Sequence, residues 1–221
     1  MEDENDNPPQ FSQSHFTACL QENSGPNSLL ASVTATDPDL GDNGLVRYSL
    51  RGEDAGSFLI DGETGEVRTR WSLDREEQAE YLLEVIAEDQ GQDVTLSGSC
   101  LLTVKVMDEN DHQPVLTNNP GTLDIPDNAG PGDFLYKFDV VDEDSGVNSR
   151  LQFFLQGDAD RFSLDQNTGV FTARSNVGNV GETYGLDLKI SDNGSQLLTT
   201  RESVTQGQPL LHLPQVRQLS G

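Results

Sequence analysis

Apolar residues recur at every second position over residues 100–106. Cys100, Leu102, Val104 and Val106 fall on one side of the chain, and Leu101, Thr103 and Lys105 on the other. A period of two is the mark of a strand with one buried face. Tyr81, Leu83 and Val85 repeat the pattern, although Leu82 and Ile86 blur it. Such runs are short and are broken by Gly and Pro. The Thr64-Gly65 and Thr168-Gly169 pairs read as hairpin turns, where Gly tolerates positive φ. No long stretch has helical periodicity. The pattern predicts an all-β protein.

The pattern also repeats. Asp37-Pro38-Asp39-Leu40-Gly41-Asp42-Asn43 returns as Asp142-Glu143-Asp144-Ser145-Gly146-Val147-Asn148, and Asp3-Glu4-Asn5-Asp6-Asn7 as Asp108-Glu109-Asn110-Asp111-His112, both offset by 105 residues. Phe58-Leu59-Ile60-Asp61 returns as Phe162-Ser163-Leu164-Asp165, offset by 104, and Asp89-Gln90-Gly91 as Asp192-Asn193-Gly194, offset by 103. A period near ~100 residues is the size of an immunoglobulin-like sandwich and too long for a solenoid unit. Two sandwiches are predicted, at 8–107 and 113–205. Residues 1–7 read as the end of a preceding linker, 108–112 as the linker between the domains, and 206–221 as a divergent or truncated tail. The sequence therefore reads as a piece of a longer chain.

Charge narrows the function. The 221 residues carry 38 acidic and 13 basic side chains, a formal net charge of −25. Nucleic-acid binding needs Lys and Arg on the phosphates, so no nucleic-acid partner is expected, and docking on anionic lipid is disfavoured for the same reason. No apolar run approaches the ~20 residues of a membrane span, so neither a span nor a signal peptide is expected within these residues. The two cysteines form no C-x-x-C, and His15, His112 and His212 stand far apart in the sequence, which argues against a zinc site. No G-x-S-x-G, H-E-x-x-H or Gly-rich phosphate loop occurs, so no enzyme is expected.

Many carboxylates sit in D-x-D and D-x-N-D clusters. A lone D-x-D is usually a turn; here the clusters recur in order, in two copies. Calcium takes six to eight oxygens, so several loops must converge on it. An EF-hand is ruled out, because loop positions 6 and 12 counted from Asp37 hold Asp42 and Tyr48, and from Asp142 hold Val147 and Phe153. The set Glu22-Asn23, Asp74-Arg75-Glu76, Asp108-Glu109-Asn110-Asp111-His112, Asp142-Glu143-Asp144, Gly146-x-Asn148 and Asp192 resembles the calcium signature of the cadherin superfamily, to about Thr205. The A-T-D-P-D-x-G-x-N-G form at 35–44 and Leu73-Asp74-Arg75-Glu76 resemble the large protocadherin, Fat and Dachsous-like members most.

The resemblance implies two tandem Greek-key β-sandwiches in an elongated rod, with Ca2+ bound at the linkers. At the middle linker it implies ligation by Glu22, Asp74 and Glu76 of the first domain, by Asp108, Asn110 and Asp111, and by Asp142, Asp144 and Asp192 of the second. Glu109, His112 and Asn148 would offer backbone carbonyls, so His in place of the usual Asn at 112 should be harmless. At the first linker it implies partial sites from Asp3, Asn5, Asp6, Asp37, Asp39, Asp89 and the Asn43 carbonyl. The far end departs from the family: Asp127 stands in place of Glu22, Val177 and Asn179 in place of Asp74 and Glu76, and Pro209 in place of Val106. No calcium site is expected there.

In the implied fold Cys19 and Cys100 lie on neighbouring strands that run toward the same calcium sites. Cys19 is three residues before Glu22 and Cys100 eight before Asp108, an offset of roughly 15 Å. A disulfide needs Cα atoms within ~7 Å, so buried free thiols are expected instead. Trp71, the only tryptophan, sits mid-domain and is expected to pack, which argues against strand-swap adhesion. Asn193-Gly194-Ser195 is the only N-x-[ST] sequon and adjoins Asp192, leaving glycosylation open. The function implied is calcium-dependent adhesion to another cadherin, homophilic or heterophilic, on an opposing cell. The parent protein would be membrane-anchored, with this piece at the extracellular face of the plasma membrane. Alternatives are a mechanical calcium-stiffened spacer and a bacterial carbohydrate-binding module.

Overall fold

A computed structural model describes residues 3–126, 128–177 and 183–194, and the backbone of 199–205. The chain divides into two compact units, Met1–Glu109 and Asn110–Gly221. Both are all-β sandwiches.

Unit 1 contains β1 (Gln10–Phe11), β2 (His15–Gln21), β3 (Leu29–Ser32), β4 (Ala35–Thr36), β5 (Arg47–Arg51), β6 (Phe58–Ile60), β7 (Glu66–Thr69), β8 (Glu80–Glu88) and β9 (Ser97–Met107). One sheet has the order β2-β9-β8-β5, the other β3-β7-β6, and β1 pairs with β4. The β2–β9 pair is parallel; the other pairs are antiparallel. Inward residues alternate along each strand. Leu83 and Val85 of β8 and Leu102 and Val104 of β9 meet Phe58 and Val67 of the facing sheet, with Val33 and Leu73 from the connections, in one fully buried cluster.

Unit 2 contains β10 (Val115–Leu116), β11 (Phe134–Lys137), β12 (Val140–Val141), β13 (Gln152–Gly157), β14 (Phe162–Leu164), β15 (Val170–Ala173), β16 (Gly185–Ser191) and β17 (Thr199–Thr205). Its sheets run β13-β16-β17 and β11-β15-β14, and β10 pairs with β12. Val115 stands opposite Val141 as Gln10 stands opposite Thr36, so the sequence repeat is a structural repeat. The core is more aromatic: Phe162 stacks on Phe171 at 5.1 Å and meets Tyr184 edge-on at 5.2 Å, as Phe58 meets Tyr81 at 5.3 Å in unit 1. Residues 120–126, which occupy the place of β2, belong to no strand. Pro120 and Pro126 sit at the two ends of that segment and lack the ladder N–H.

The two expected hairpin turns join β6 to β7 and β14 to β15. Gly65 and Gly169 have φ of 70° and 68°. Gly65 also passes so close to β3 that a Cβ would lie 2.1 Å from the Val33 carbonyl oxygen. Short 3-10 turns at Gly41–Gly44, Glu53–Ser57 and Ala159–Arg161 are the helical segments among the described residues.

Two expectations need correction. Trp71 is 49% exposed and does not join the core: in the irregular segment after β7 the inward places are taken by Thr69 and Leu73, and Trp71 between them is left facing solvent. Cys19 is exposed, since it faces away from the sandwich between Ala18 and Leu20; Cys100 alone is buried, and both thiols are free.

Candidate metal centre

The strand directions of unit 1 gather its acidic clusters at two ends. Parallel β2 and β9 finish together, and antiparallel β8 begins beside them. Glu22, the 74–76 segment and Asp108 therefore meet at one end. The β4–β5 and β8–β9 connections, with the segment before β1, meet at the opposite end. Unit 2 presents the same three pieces, from β12–β13, the end of β16 and the segment before β10.

At the exit end of unit 1, Glu22 is 1% exposed. Its Oε1 accepts the Glu109 N–H at 2.6 Å and its Oε2 the Arg75 N–H at 2.8 Å. Asp74 Oδ1 accepts the N–H groups of Glu76 and Glu77 at 2.9 and 3.2 Å, an N-terminal cap on a single turn. The Arg75 guanidinium pairs with Glu76, and with Asp108 at 2.5 Å. Glu76 Oε2 is buried and accepts no hydrogen bond. The bridging guanidinium was not foreseen; its place in Leu73-Asp74-Arg75-Glu76, among four carboxylates, was the available signal.

At the entry end of unit 1, Asp37 Oδ1 accepts the Asp39 N–H at 3.0 Å, and Asp39 accepts the backbone and side-chain N–H groups of Asn7 at 3.1 and 2.6 Å. Asn5 Nδ2 donates to Asp89 Oδ2 at 3.1 Å and to the Val94 carbonyl at 2.7 Å. Asp89 is fully buried and also accepts the N–H groups of Gly91 and Leu96, each at 2.9 Å. Asp3 accepts from Leu40 and from the Asn43 side chain, and Asp6 from Asn7. Asn5 Oδ1 and Asp37 Oδ2 are buried with no donor. Asn7, which is outside the expected ligand set, ties the linker segment to Asp39.

The entry end of unit 2 repeats the principal bonds of this arrangement. Asp142 Oδ1 accepts the Asp144 N–H at 3.1 Å, Asp144 Oδ1 the His112 N–H at 3.3 Å, and Asp192 Oδ2 the Asn110 amide at 3.3 Å. Asp142 Oδ2 is buried without a donor. Burial pushes the Asp142 carboxyl above its ordinary range, and the Asp144 and Asp192 charges push it the same way. The His112 ring was expected to be idle. Instead its Nδ1 lies 2.8 Å from Asp111 and 3.3 Å from Asp144, and its Nε2 3.5 Å from Glu143. Burial depresses the imidazole, but the Asp111 and Asp144 carboxylates outweigh it and hold the ring above its ordinary 6.5. Asn148 closes a turn onto Ser145 at 3.1 Å.

The three ends therefore offer carboxylate and amide oxygens almost alone, the donor set of a hard divalent cation. In Asp37 and Asp142 a backbone N–H holds one oxygen and leaves the other open. At the far end of unit 2, Val177 is fully buried and donates its N–H to the Ala129 carbonyl at 3.1 Å, in a cluster with Ile125. An apolar side chain thus fills the place of Asp74. Asp127, Asn179 and the tail at 206–221 lie outside the described residues.

A family model for the cadherin domain matches residues 16–107. Over 207 residues, 92% of its length, the chain is 36% identical to the Cadherin EGF LAG seven-pass G-type receptor 3 of Rattus norvegicus. The chain belongs to the cadherin superfamily. It is 33% identical over 208 residues to Protocadherin-11 X-linked of Pan troglodytes. Cadherin coordinates match too: mouse Cadherin-23 EC22-24 superposes with a TM-score of 0.85 at 29% identity, covering 94% of this chain and 66% of that one. The Protocadherin GammaB4 extracellular domain gives 0.84 at 31% identity, covering 92% and 35%. The chain spans 6% of the seven-pass receptor and 15% of the protocadherin. Among the described residues no helix is long and apolar enough to cross a membrane.

Proposed function

We propose that this chain is a pair of cadherin repeats, 8–107 and 113–205, from the extracellular part of an adhesion receptor, and that calcium at the 108–112 linker makes it competent for adhesion. Calcium would be held by Glu22, Asp74, Glu76 and Asp108 on the unit 1 side and by Asn110, Asp111, Asp142, Asp144 and Asp192 on the unit 2 side. Glu109, His112 and Asn148 would offer carbonyls. A second, partial set comprises Asp3, Asn5, Asp6, Asp37, Asp39, Asp89 and the Asn43 carbonyl. The observation that carries this reading is the pair of matching ends: in both units the same carboxylates converge, and one oxygen of Asp37 and of Asp142 is buried with no hydrogen-bond donor. Such oxygens cost stability unless a cation meets them.

Bound calcium supplies charge neutralisation. Eight of the ligands assigned at the 108–112 linker are carboxylates, and without a cation they would repel one another. With them neutralised, the linker stiffens and the repeats can present their surfaces to another cadherin on an opposing cell. The apolar end of unit 2 takes no calcium in this reading.

The test is a thermal melt of the chain in ~1 mM calcium and in chelator. Extracellular sites bind at about 10⁻⁴ to 10⁻³ M, so a ~0.1 mM site gives roughly 1.4 kcal/mol per ion. Several coupled ions raise the midpoint by many degrees, and Asp144→Ala removes most of the rise. Identical melts in the two buffers would reduce the clusters to surface charge. Calcium-dependent aggregation of beads coated with the chain then separates adhesion from a mechanical spacer.

A further inference from the structure

Each unit has a glycine two residues after its buried end-cap aspartate: Gly91 after Asp89 and Gly194 after Asp192. Neither is among the residues with positive φ, so the backbone does not require glycine at either position. Space does. A Cβ built on Gly194 would lie 2.4 Å from Cγ, 2.5 Å from Nδ2 and 2.7 Å from Oδ1 of Asn110. A Cβ on Gly91 would lie 2.4 Å from Asn5 Nδ2, and 2.3 Å from the Val94 carbonyl oxygen. The Asn110 amide therefore lies against the bare face of Gly194, and at Gly91 the Asn5 amide nitrogen and the Val94 carbonyl share the corresponding space.

The same asparagine is held by its amide nitrogen. Asn110 Nδ2 donates to Asp192 Oδ2 at 3.3 Å, and Asn5 Nδ2 donates to Asp89 Oδ2 at 3.1 Å. In turn, Asp192 and Asp89 are fixed by the glycine's own N–H, at 3.1 and 2.9 Å. Glycine, aspartate and asparagine thus form a closed set, which works only with an amide at the third position. The nitrogen must donate to the aspartate, and that turns the oxygen the other way. In unit 1 that oxygen, Asn5 Oδ1, is buried and accepts nothing.

We infer that Gly91 and Gly194 are positioning residues for cation binding: each leaves the space in which the linker asparagine is locked with its oxygen presented as a ligand. This rests on the calcium reading above and adds to it a pair of residues that never touch the ion. Residues that orient metal ligands typically cost 10–100-fold in affinity when lost, and Gly194→Ala should fall in that range.

The experiment is a double-mutant cycle on the whole chain with Gly194→Ala and Asn110→Ala, read by calorimetric calcium titration, by melting in chelator and by NMR of the Asn110 side-chain amide in chelator. Gly194→Ala is expected to weaken calcium binding roughly 10–100-fold while the chelator melt stays cooperative. In the Asn110→Ala background the same glycine change is expected to add almost nothing, because the clashing group is gone. The Asn110 amide protons, held by Asp192 in the parent chain, should move toward solvent-exposed shifts in Gly194→Ala without any metal present. Should Gly194→Ala fail to fold, Gly91→Ala with Asn5→Ala repeats the cycle in unit 1; because the Val94 carbonyl also crowds that position, only the part of the loss that Asn5→Ala abolishes is assigned to the asparagine. If the parent chain binds no calcium, the functional reading falls. If the parent binds and both alanine variants bind equally well, or the two changes are additive, the positioning role is overturned.

Discussion

In the parallel pairing of β2 with β9, Cys19 stands opposite Lys105, five positions beyond Cys100. Five residues of strand span roughly 17 Å, far outside the ~7 Å that a disulfide tolerates. The sulfurs also face opposite sides of the sheet: Cys19 is exposed, and Cys100 is buried in the core. Burial pushes the Cys100 thiol up to about 11. The expected outcome is one thiol that alkylates readily in the native chain and a second that reacts only on unfolding, since the thiolate is the reactive form. Mass spectrometry after native and denatured labelling should show one adduct, at Cys19, and then two. A mass two units low, from an internal bridge, would contradict the register.

Leu101 and Leu102 are adjacent leucines with opposite fates. Leu102 is fully buried between the sheets, whereas Leu101 is 42% exposed. Leu102→Ala removes packed methyl groups and leaves a cavity, so it should cost about 2–5 kcal/mol. Leu101→Ala should change stability by no more than about 0.5 kcal/mol. Chemical denaturation followed by the unit 1 tryptophan, Trp71, measures both.

That pair shows how much of the fold was legible in the sequence. Alternation placed Cys100, Leu102, Val104 and Val106 inside correctly, because a strand has only two faces. It failed at Thr103, which shares a face with Leu101 and Lys105 yet is only 7% exposed. β9 is an inner strand, and His15 of β2 covers the threonine, with Nε2 2.8 Å from its hydroxyl. Period two reports the face, and neighbours from distant sequence decide how much of that face is wet. Trp71 misled for the opposite reason: size suggested packing, but in the irregular segment after β7 the inward places fall to Thr69 and Leu73 on either side of it. The acidic clusters were legible because each is local, and their repeat at 105 residues implied convergence. The roles of Arg75 and Gly194 were not legible, since each depends on a partner brought in by strand pairing.

The β6–β7 and β14–β15 turns carry a pH dependence. Asp61 accepts the N–H groups of Thr64 and Glu63 at 2.8 and 2.9 Å, and Asp165 those of Thr168 and Asn167 at 2.8 and 3.0 Å. Hydrogen bonds from Thr64 and Glu63 hold the Asp61 carboxyl below its ordinary 3.8, and those from Thr168 and Asn167 do the same for Asp165. A carboxyl depressed in the folded state stabilises it fully above 3.8, and that contribution is lost as pH falls through the lower folded value. Asp61→Asn in unit 1 and Asp165→Asn in unit 2 should therefore melt below the parent at pH 6. The gap should close as pH falls below 3.8 and on through the lower folded value, where the parent's own carboxyl becomes protonated. Melts across that range in chelator check it; a constant gap would mean that the carboxylate charge plays no part.

Glu22 and Asp142 are both assigned to calcium, yet they should respond oppositely when calcium is removed. Glu22 has both oxygens engaged by backbone N–H groups of Glu109 and Arg75 and is almost fully buried. Glu22→Ala strands those donors at a cost of about 1–3 kcal/mol each, so the chain should be weaker in chelator as well as in calcium. Asp142 has one buried oxygen with no donor and is strained by burial and by the charges of Asp144 and Asp192. Asp142→Asn keeps an oxygen for the Asp144 N–H and removes the charge. In chelator it should raise the midpoint, modestly because the group is partly screened. In calcium it should lower the midpoint, because a ligand charge is gone. The crossing of the two effects is the informative result. A variant that is destabilised equally in both buffers would make Asp142 a structural cap like Glu22, and the open oxygen would then have no assigned role.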